Sequence, residues 1–262
     1  MNILKRELRA GLKPFLFWTL GLFVLVFAGM VKYTGISAGG VSINELLAQF
    51  PRVVLAVLGI VGIDIETLGG YYAVIVYFAI ICVSIYAVFL GANAVNRESI
   101  DKTYEFIFTK PRSRKYILLM KLLSGFIYLS LFCLLHYLFS ISATATLKLS
   151  ENINHEMLLF SLSVFFVGLL FFGISTFAAT IANRPEKGMF YGNLCFLFSF
   201  VIGIIYDMLE NGKILRIFTP IRYFLPSDLL SGYLDPSYIV LCLVLTFLLF
   251  LGSFHFFENL SI

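Results

Sequence analysis

Six long stretches of this sequence contain no Asp, Glu, Lys or Arg, and they restrict the possible folds more than any other feature. The stretches are residues 14–31, 67–96, 122–147, 157–183, 188–206 and 236–257. Each has at least 18 residues. A helix needs about 20 mostly apolar residues to cross the hydrocarbon core of a bilayer, which is about 30 Å thick. All six stretches are therefore long enough to span a membrane.

The composition of the whole chain excludes an ordinary soluble protein. Of the 262 residues, 60% are hydrophobic and 13% are charged, whereas soluble domains have about 45–50% apolar and about 25% charged residues. Backbone polar groups inside lipid must be paired within the protein, and stretches of this length are too long for barrel strands. We therefore predict an all-α polytopic membrane protein, with residues 1–262 forming a single transmembrane domain of six spanning helices.

The distribution of basic residues predicts the orientation of these spans. Of the 19 Lys and Arg residues, 13 lie in the N-terminal segment and in the connections after the second and fourth spans. Cytoplasmic loops carry an excess of Lys and Arg. Because an even number of spans places both termini on one side, we predict that both termini are cytoplasmic.

Residues 1–13 have the pattern of an amphipathic helix. Their leucines share one helical face, and their basic residues flank that face (Leu4, Leu8 and Leu12; Lys5, Arg6, Arg9 and Lys13). Such a helix lies in the headgroup region of membrane lipids. We predict an interfacial helix here, while noting that the same bases also set the topology of the first span.

Two segments on the opposite side are apolar but interrupted by prolines. Residues 44–60 contain Pro51, and residues 214–226 contain Pro220 and Pro226. Both are too short and too broken to span a bilayer. They are predicted to be short re-entrant or interfacial pieces, and a loop lying flat on the membrane is an equally good interpretation.

The polar residues near the spans give little support to an enzyme. His136 lies within the third span, where an ionisable group is a functional candidate by default, although a hydrogen bond within the helix bundle is the favoured interpretation. Asp64 and Glu66 are two residues apart and do not face one another on a helix. No catalytic or metal-binding motif occurs in the sequence. We predict no catalytic and no metal-binding residues, which leaves an intramembrane enzyme as the weakest alternative.

The connection over residues 97–115 interrupts the apolar sequence and has its own periodicity. Ile100, Tyr104, Ile107 and Phe108 follow the spacing of one helical face. Pro111 ends this predicted helix, and Ser113 is suited to cap the start of the third span. An apolar stripe on a cytoplasmic helix must be covered, either by the membrane surface or by another protein. The residues alone favour neither cover.

This connection resembles the signature segment of ATP-binding cassette (ABC) type-2 transporter permeases. In that family a Glu, a Gly-Thr-x-Glu segment and a Pro-x-Ser-Arg segment precede the next span, which has a Lys near its start. The matching residues here are Glu98, Thr103, Glu105, Pro111, Ser113, Arg114 and Lys121, whereas Lys102 replaces the usual Gly. The outer segment from Phe50 to Tyr71 also resembles the first outer loop of small bacterial members.

The resemblance implies a membrane-spanning permease subunit of an exporter in a prokaryotic cell membrane. Its partners would be a separate ABC ATPase subunit and a second permease chain, identical or related, with no nucleic acid involved. The ATPase would dock on residues of the connection: Glu98, Ile100, Thr103, Tyr104, Glu105, Phe108, Pro111, Ser113 and Arg114.

ATP and Mg would be bound by the partner. This chain has no Gly-x-x-x-x-Gly-Lys-Ser/Thr loop, so we expect neither a cofactor nor enzymatic activity in it. The alternative to the permease interpretation is a stand-alone channel or a structural membrane protein.

Overall fold

The computed structural model describes residues 3–38, 42–100, 113–149, 151–209 and 212–258. It is 84% helical, and the described residues include no strand. In chain order the helices are α1 (Ile3–Ala38), α2 (Ile43–Leu47), α3 (Arg52–Leu58), α4 (Leu68–Ile100), α5 (Arg114–Thr146), α6 (Asn154–Ile181), α7 (Pro185–Met208), α8 (Lys213–Arg216), a 3-10 turn (Pro220–Arg222), α9 (Pro226–Leu230) and α10 (Pro236–Glu258). Six of them, α1, α4, α5, α6, α7 and α10, are long and apolar enough to cross a membrane. The predicted all-α fold with six spanning helices is confirmed.

The long helices extend beyond the charge-free stretches that predicted them. Helix α1 begins at Ile3 and runs without interruption through Pro14 to Ala38. The predicted interfacial helix is therefore helical, but it is the first part of α1 rather than a separate element. Helix α4 likewise continues past residue 96 to Ile100. Helical backbone hydrogen bonds do not require apolar side chains, so a charge-free stretch marks only the minimum length of a span.

Helices α4 and α6 form the centre of the bundle. They pack along each other. Helices α1 and α5 pack against each other and against α4, α7 packs against both central helices, and α10 packs against α6 and α5. In each of α4, α5 and α6, more than half of the most hydrophobic 18-residue segment is buried. In each of α1, α7 and α10, less than a third of that segment is buried. The outer helices expose aromatic side chains such as Phe17, Phe198 and Phe247. These faces are suited to lipid or to another membrane-embedded chain.

The close contact between α4 and α6 depends on a glycine. A Cβ atom built on Gly91 would lie 2.6 Å from the backbone oxygen of Phe172 and 2.8 Å from the backbone nitrogen of Thr176. The two helices lie close enough for Ser175 Oγ on α6 to donate a hydrogen bond of 2.7 Å to the backbone oxygen of Val88 on α4. Small residues at helix contacts allow this backbone approach in membranes.

The helix ends define two polar regions. We call the end formed by the first turns of α1, the last turns of α4, and the starts of α5 and α7 the N-terminal end. The opposite end, which carries α2, α3, α8, the 3-10 turn and α9, is the loop end. The two apolar segments that prolines interrupt, residues 44–60 and 214–226, contain the short helices of this end. Helix α3 ends at Leu58. The following Gly59 has a φ of 71°, which favours glycine, and the Tyr77 ring leaves no room there for a side chain.

Candidate functional site

A buried carboxylate organises the N-terminal end of the bundle. The Glu7 side chain is 7% exposed, and its Oε1 lies 2.5 Å from Arg6 Nη2. Its other oxygen lies 3.7 Å from Arg97 Nη1 on α4. A buried carboxylate needs such a partner, since an isolated charge in a low-dielectric environment is strongly unfavourable. Glu7 thus links the first turns of α1 to the last turn of α4.

Arg97 also compensates for a proline. Pro14 has no backbone N–H, so the carbonyl of Ala10 loses its helical donor. Arg97 Nη2 donates a hydrogen bond of 3.0 Å to this same carbonyl oxygen. The result is a second link between α1 and α4, made to backbone rather than to a side chain.

Helix α5 holds the same part of α1. The Tyr128 hydroxyl donates a hydrogen bond to the backbone oxygen of Leu8. Gly11 lies against the Tyr128 ring, where an added Cβ would come within 2.5 Å of a ring carbon. The first turns of α1 are therefore fixed between α4 and α5.

Lys121 is buried beside this cluster. It is 4% exposed, and it lines a small cavity of about 40 Å³ together with Glu7, Arg97, Ser124 and Tyr128. Lys121 is the lysine that matches the family signature early in the third span. The structure places it with the residues that join α1, α4 and α5.

The start of α7 closes the N-terminal end. A Cβ on Gly188 would lie 2.1 Å from Asn96 Nδ2 on α4 and 2.9 Å from the Cβ of Ala179 on α6. The last turns of α4 thus contact α1, α5 and α7. This is the point where the chain enters the connection for which we predicted a coupling role.

The structure describes part of that connection. Ser113 caps α5 as predicted, because its Oγ accepts a hydrogen bond of 3.3 Å from the Tyr116 backbone N–H, and Arg114 is the first residue of the helix. Glu98 and Ile100 continue the backbone of α4. The remaining predicted residues, Thr103, Tyr104, Glu105, Phe108 and Pro111, lie outside the described residues. The coupling helix therefore stays a prediction.

Sequence analysis missed the role of Glu7 and Arg97. Arg97 counted only toward the orientation of the spans, and Glu7 was not considered. One signal was available, since Glu7 is the only acidic residue before Glu45. An acid in a basic segment can pair with a neighbouring base such as Arg6, but nothing local in the sequence relates it to Arg97.

The loop end contains a second charged cluster, also absent from the predictions. Arg222 Nη2 donates a hydrogen bond to the Asp207 carboxylate and another of 3.4 Å to the backbone oxygen of Ala56. The guanidinium carbon lies 4.6 Å from the centre of the Tyr77 ring. Arg52 Nε donates to the backbone oxygen of Asp207 at 3.1 Å. Arg222 thereby joins the 3-10 turn to α3, α4 and α7.

The acids Asp64 and Glu66 hold helix α2 against the start of α4. Asn44 Nδ2 donates to Asp64 Oδ1 at 2.6 Å, and Glu66 Oε1 accepts from Ser42 Oγ at 2.8 Å and from the Asn44 backbone N–H at 3.1 Å. The hydrogen bond from Asn44 lowers the pKa of Asp64, and that from the Asn44 backbone lowers the pKa of Glu66. Asp64 and Glu66 therefore do not face each other as a catalytic pair. Each of them accepts hydrogen bonds from the segment at the start of α2.

The hydrogen bond predicted for His136 inside the bundle is confirmed. Its Nδ1 lies 2.8 Å from Ser161 Oγ on α6. The Tyr72 hydroxyl donates to Ser140 Oγ at 2.8 Å, and Ser140 Oγ donates to the His136 backbone oxygen at 2.8 Å. All of these side chains are buried. The network joins α4, α5 and α6. Across the part of the chain that the structure describes, no group of three His, Cys, Asp or Glu residues is placed to hold a metal ion.

Comparison with known proteins agrees with this architecture. A family model described as ABC-2 family transporter protein matches residues 1–259. No curated protein sequence matches the chain. Permeases of this family generally have no enzymatic activity of their own, and they work with an ABC ATPase. With almost its full length covered by the family model and six helices that can cross a membrane, the chain belongs to the ABC-2 family of transporter proteins.

Proposed function

We propose that this chain is the membrane-spanning permease subunit of an ABC exporter in a prokaryotic cell membrane. It forms the substrate pathway, and ATP binding and hydrolysis in a separate ATPase subunit drive transport. The observation that carries the proposal is the family match over residues 1–259 on a chain with six potential spans. The export direction rests on the resemblance of the 97–115 connection to the family signature.

The coupling step assigns a role to the N-terminal end of the bundle. The ATPase docks on the connection through the apolar stripe that includes Tyr104 and Phe108, with both chain termini on the cytoplasmic side. The connection follows the part of α4 where Arg97 is bonded to α1, and it leads into α5, which Ser113 caps. Because α1, α4, α5 and α7 meet there, a movement of the docked connection reaches four spans through direct contacts.

The assembly contains a second permease chain, identical or related. Six helices make half of the translocation pathway in transporters of the kind this sequence resembles. The exposed apolar faces of α1, α7 and α10 offer membrane-embedded surfaces for that chain. Native mass measurement of the purified complex is expected to give two permeases and two ATPases, and one permease with two ATPases would contradict the proposal.

Co-purification with the ATPase tests the coupling residues. Tyr104→Ala together with Phe108→Ala is expected to weaken ATPase binding at least thirtyfold, because truncating an aromatic anchor at a protein interface commonly costs about 2 kcal/mol or more. ATP turnover and transport should fall with it. ATP hydrolysis by the pure, isolated chain would contradict the division of labour between the subunits.

The matched control truncates two apolar side chains on α5, away from the connection and away from the faces proposed for the second permease. Leu134→Ala and Leu138→Ala truncate side chains that are 52% and 45% exposed. This variant should retain full ATPase binding. If the Tyr104 and Phe108 variant also retained full binding and transport, the stripe would rest on the membrane, and the assigned docking residues would be wrong.

A further inference from the structure

The loop end contains a polar cavity with an excess of positive charge. Its volume is about 400 Å³, and its charged lining residues in the described chain are Arg52, Lys213, Arg222 and Asp207. Three cations thus face one carboxylate. The cavity lies where α3, α7 and α8 meet the turn that follows α3.

Arg222 is the innermost of these cations. Its side chain is 8% exposed, and its Nη2 is hydrogen bonded to Asp207 and to the Ala56 carbonyl. Its Nε has no acceptor among the residues that the structure describes. A buried donor without an acceptor is unfavourable, and more so in a charged group. The described chain therefore leaves part of the hydrogen-bonding capacity of Arg222 unused.

The other two cations are exposed around the cavity. Arg52 donates its Nε to the Asp207 backbone oxygen, and its exposed guanidinium keeps further N–H groups for a ligand. Lys213 makes no ion pair within the described part of the chain. The Asp207 carboxylate also lines the cavity, but its charge is already compensated by Arg222. An incoming anion therefore meets a net positive field.

The two short helices that carry Arg52 and Lys213 also expose apolar side chains. On α8 and the turn after it, Ile214 is 75% exposed and Phe218 is 58% exposed. On α3, Val53 and Val57 are 44% and 40% exposed. A soluble anion gains nothing from such surroundings, whereas a molecule with an anionic head and apolar chains matches both parts.

We propose that this cavity binds the phosphate group of an anionic membrane amphiphile. Arg222 and Arg52 donate hydrogen bonds to the phosphate oxygens, and Lys213 adds a second exposed positive charge. The acyl chains lie along the exposed side chains of α3 and α8. The site is built from this chain alone, so its failure would leave the proposed ATPase coupling untouched.

Native mass spectrometry of the purified full chain in a neutral detergent tests the site. The probes are phosphatidylglycerol and phosphatidylcholine with identical acyl chains, and inorganic phosphate. Phosphatidylglycerol is expected to bind at least tenfold more tightly than phosphatidylcholine. Each base near an anionic lipid contributes about 1 kcal/mol, or about fivefold in affinity. The Arg52→Gln and Lys213→Gln double variant should therefore bind phosphatidylglycerol roughly 25-fold more weakly.

Three further variants keep the result interpretable. Lys148→Gln removes an exposed cation from the same end of the bundle but outside the cavity, and it should leave binding unchanged. Arg222→Lys keeps the charge of the buried pair and should weaken binding through the lost guanidinium geometry. Glu210, which follows Leu209 in the sequence and lies outside the described residues, is tested by Glu210→Gln, which should bind phosphatidylglycerol at least as tightly as the parent.

Several outcomes would overturn the proposal. Equal affinity for the two lipids would exclude recognition of the anionic headgroup. Unchanged binding in the Arg52 and Lys213 double variant would place the lipid elsewhere, as would an equal loss in Lys148→Gln. Inorganic phosphate that binds as tightly as phosphatidylglycerol would identify a site for a soluble anion instead of an amphiphile.

Discussion

Arg97 on α4 donates a hydrogen bond of 3.0 Å to the backbone oxygen of Ala10 on α1, which is the carbonyl that Pro14 leaves without a helical donor. A proline inside a helix normally weakens it by about 3 kcal/mol, because one hydrogen bond is lost and the ring crowds the preceding turn. Here the neighbouring helix supplies the missing donor. The hydrogen bond that Pro14 removes from α1 is thereby replaced by a contact between two spans.

Arg97→Ala is expected to destabilise the chain by about 1–3 kcal/mol, because the half-buried Ala10 carbonyl and the buried Glu7 carboxylate each lose a partner. A chain of this length should lose about 2–4 °C of melting temperature for each kcal/mol. Thermal unfolding in detergent measures the change. Arg9→Ala is the matched control, since Arg9 is exposed in the same segment, and it should leave the melting temperature unchanged.

Pro14→Ala provides a direct test of the link. The substitution restores an N–H group that can donate to the Ala10 carbonyl, so it should recover part of the stability lost in Arg97→Ala. In the parent chain its effect should be smaller, because the carbonyl already has a donor. If Pro14→Ala changed the melting temperature equally in both backgrounds, the two residues would not be coupled.

Gly91→Ala should destabilise the contact between α4 and α6 by about 1–3 kcal/mol. The added methyl group would meet the backbone of Phe172 and Thr176 at 2.6 and 2.8 Å, and backbone cannot move aside as a flexible side chain can. Gly21→Ala is the control, because nothing lies within 4 Å of a Cβ at that position. It should melt at or above the temperature of the parent. Equal melting of the two variants would contradict the assigned close approach.

Ser161→Ala should lower stability by about 0.6 kcal/mol and by at most about 1.7 kcal/mol, the range measured for hydrogen bonds between helices in a membrane. Ser161 Oγ contacts His136 Nδ1, and His136 Nε2 has no partner among the described residues. Ser163→Ala is the matched control, since Ser163 Oγ donates only to the backbone oxygen of Phe160 on its own helix. Chemical unfolding should therefore separate the two serine variants.

Acidification is expected to release helix α2. The pKa values of Asp64 and Glu66 are lowered in the folded chain, by hydrogen bonds from Asn44 and, for Glu66, also from Ser42. Their contribution is fully present above the ordinary carboxyl pKa of about 4, and it is lost as the pH falls through the lowered values. Hydrogen exchange over residues 42–47, corrected for intrinsic rates, should accelerate only below about pH 4.

Removing the carboxylates should have the same effect at neutral pH. Asp64→Asn with Glu66→Gln should accelerate exchange over residues 42–47 at pH 7. Glu45→Gln, which changes an exposed acid on α2 itself, should not. Unaltered exchange in the double variant would show that other contacts hold α2 in place.

Local patterns were sufficient for the spans and for one cap. A spanning helix must hydrogen bond its own backbone N–H and C=O groups and carry few charges. Each span can therefore be recognised from one continuous stretch of sequence. Ser113 could be predicted as the cap of α5 because it lies three residues from Tyr116, the donor it accepts from. The 97–115 connection was recognised in the same way, from residues close together in the chain.

The polar contacts between helices were decided by the tertiary structure. The Arg97 contact with Ala10 joins residues 87 positions apart, and the His136 contact with Ser161 joins residues 25 positions apart. Arg222 and Asp207 are 15 positions apart, with a connection and a short helix between them. No periodicity relates such positions, because each contact depends on which helices are neighbours and on how far one slides along the other. The sequence alone determined that the chain crosses a membrane with six helices, since lipid imposes that condition on each helix separately. Which buried charges meet was determined only when the packed helices brought distant residues within hydrogen-bonding distance.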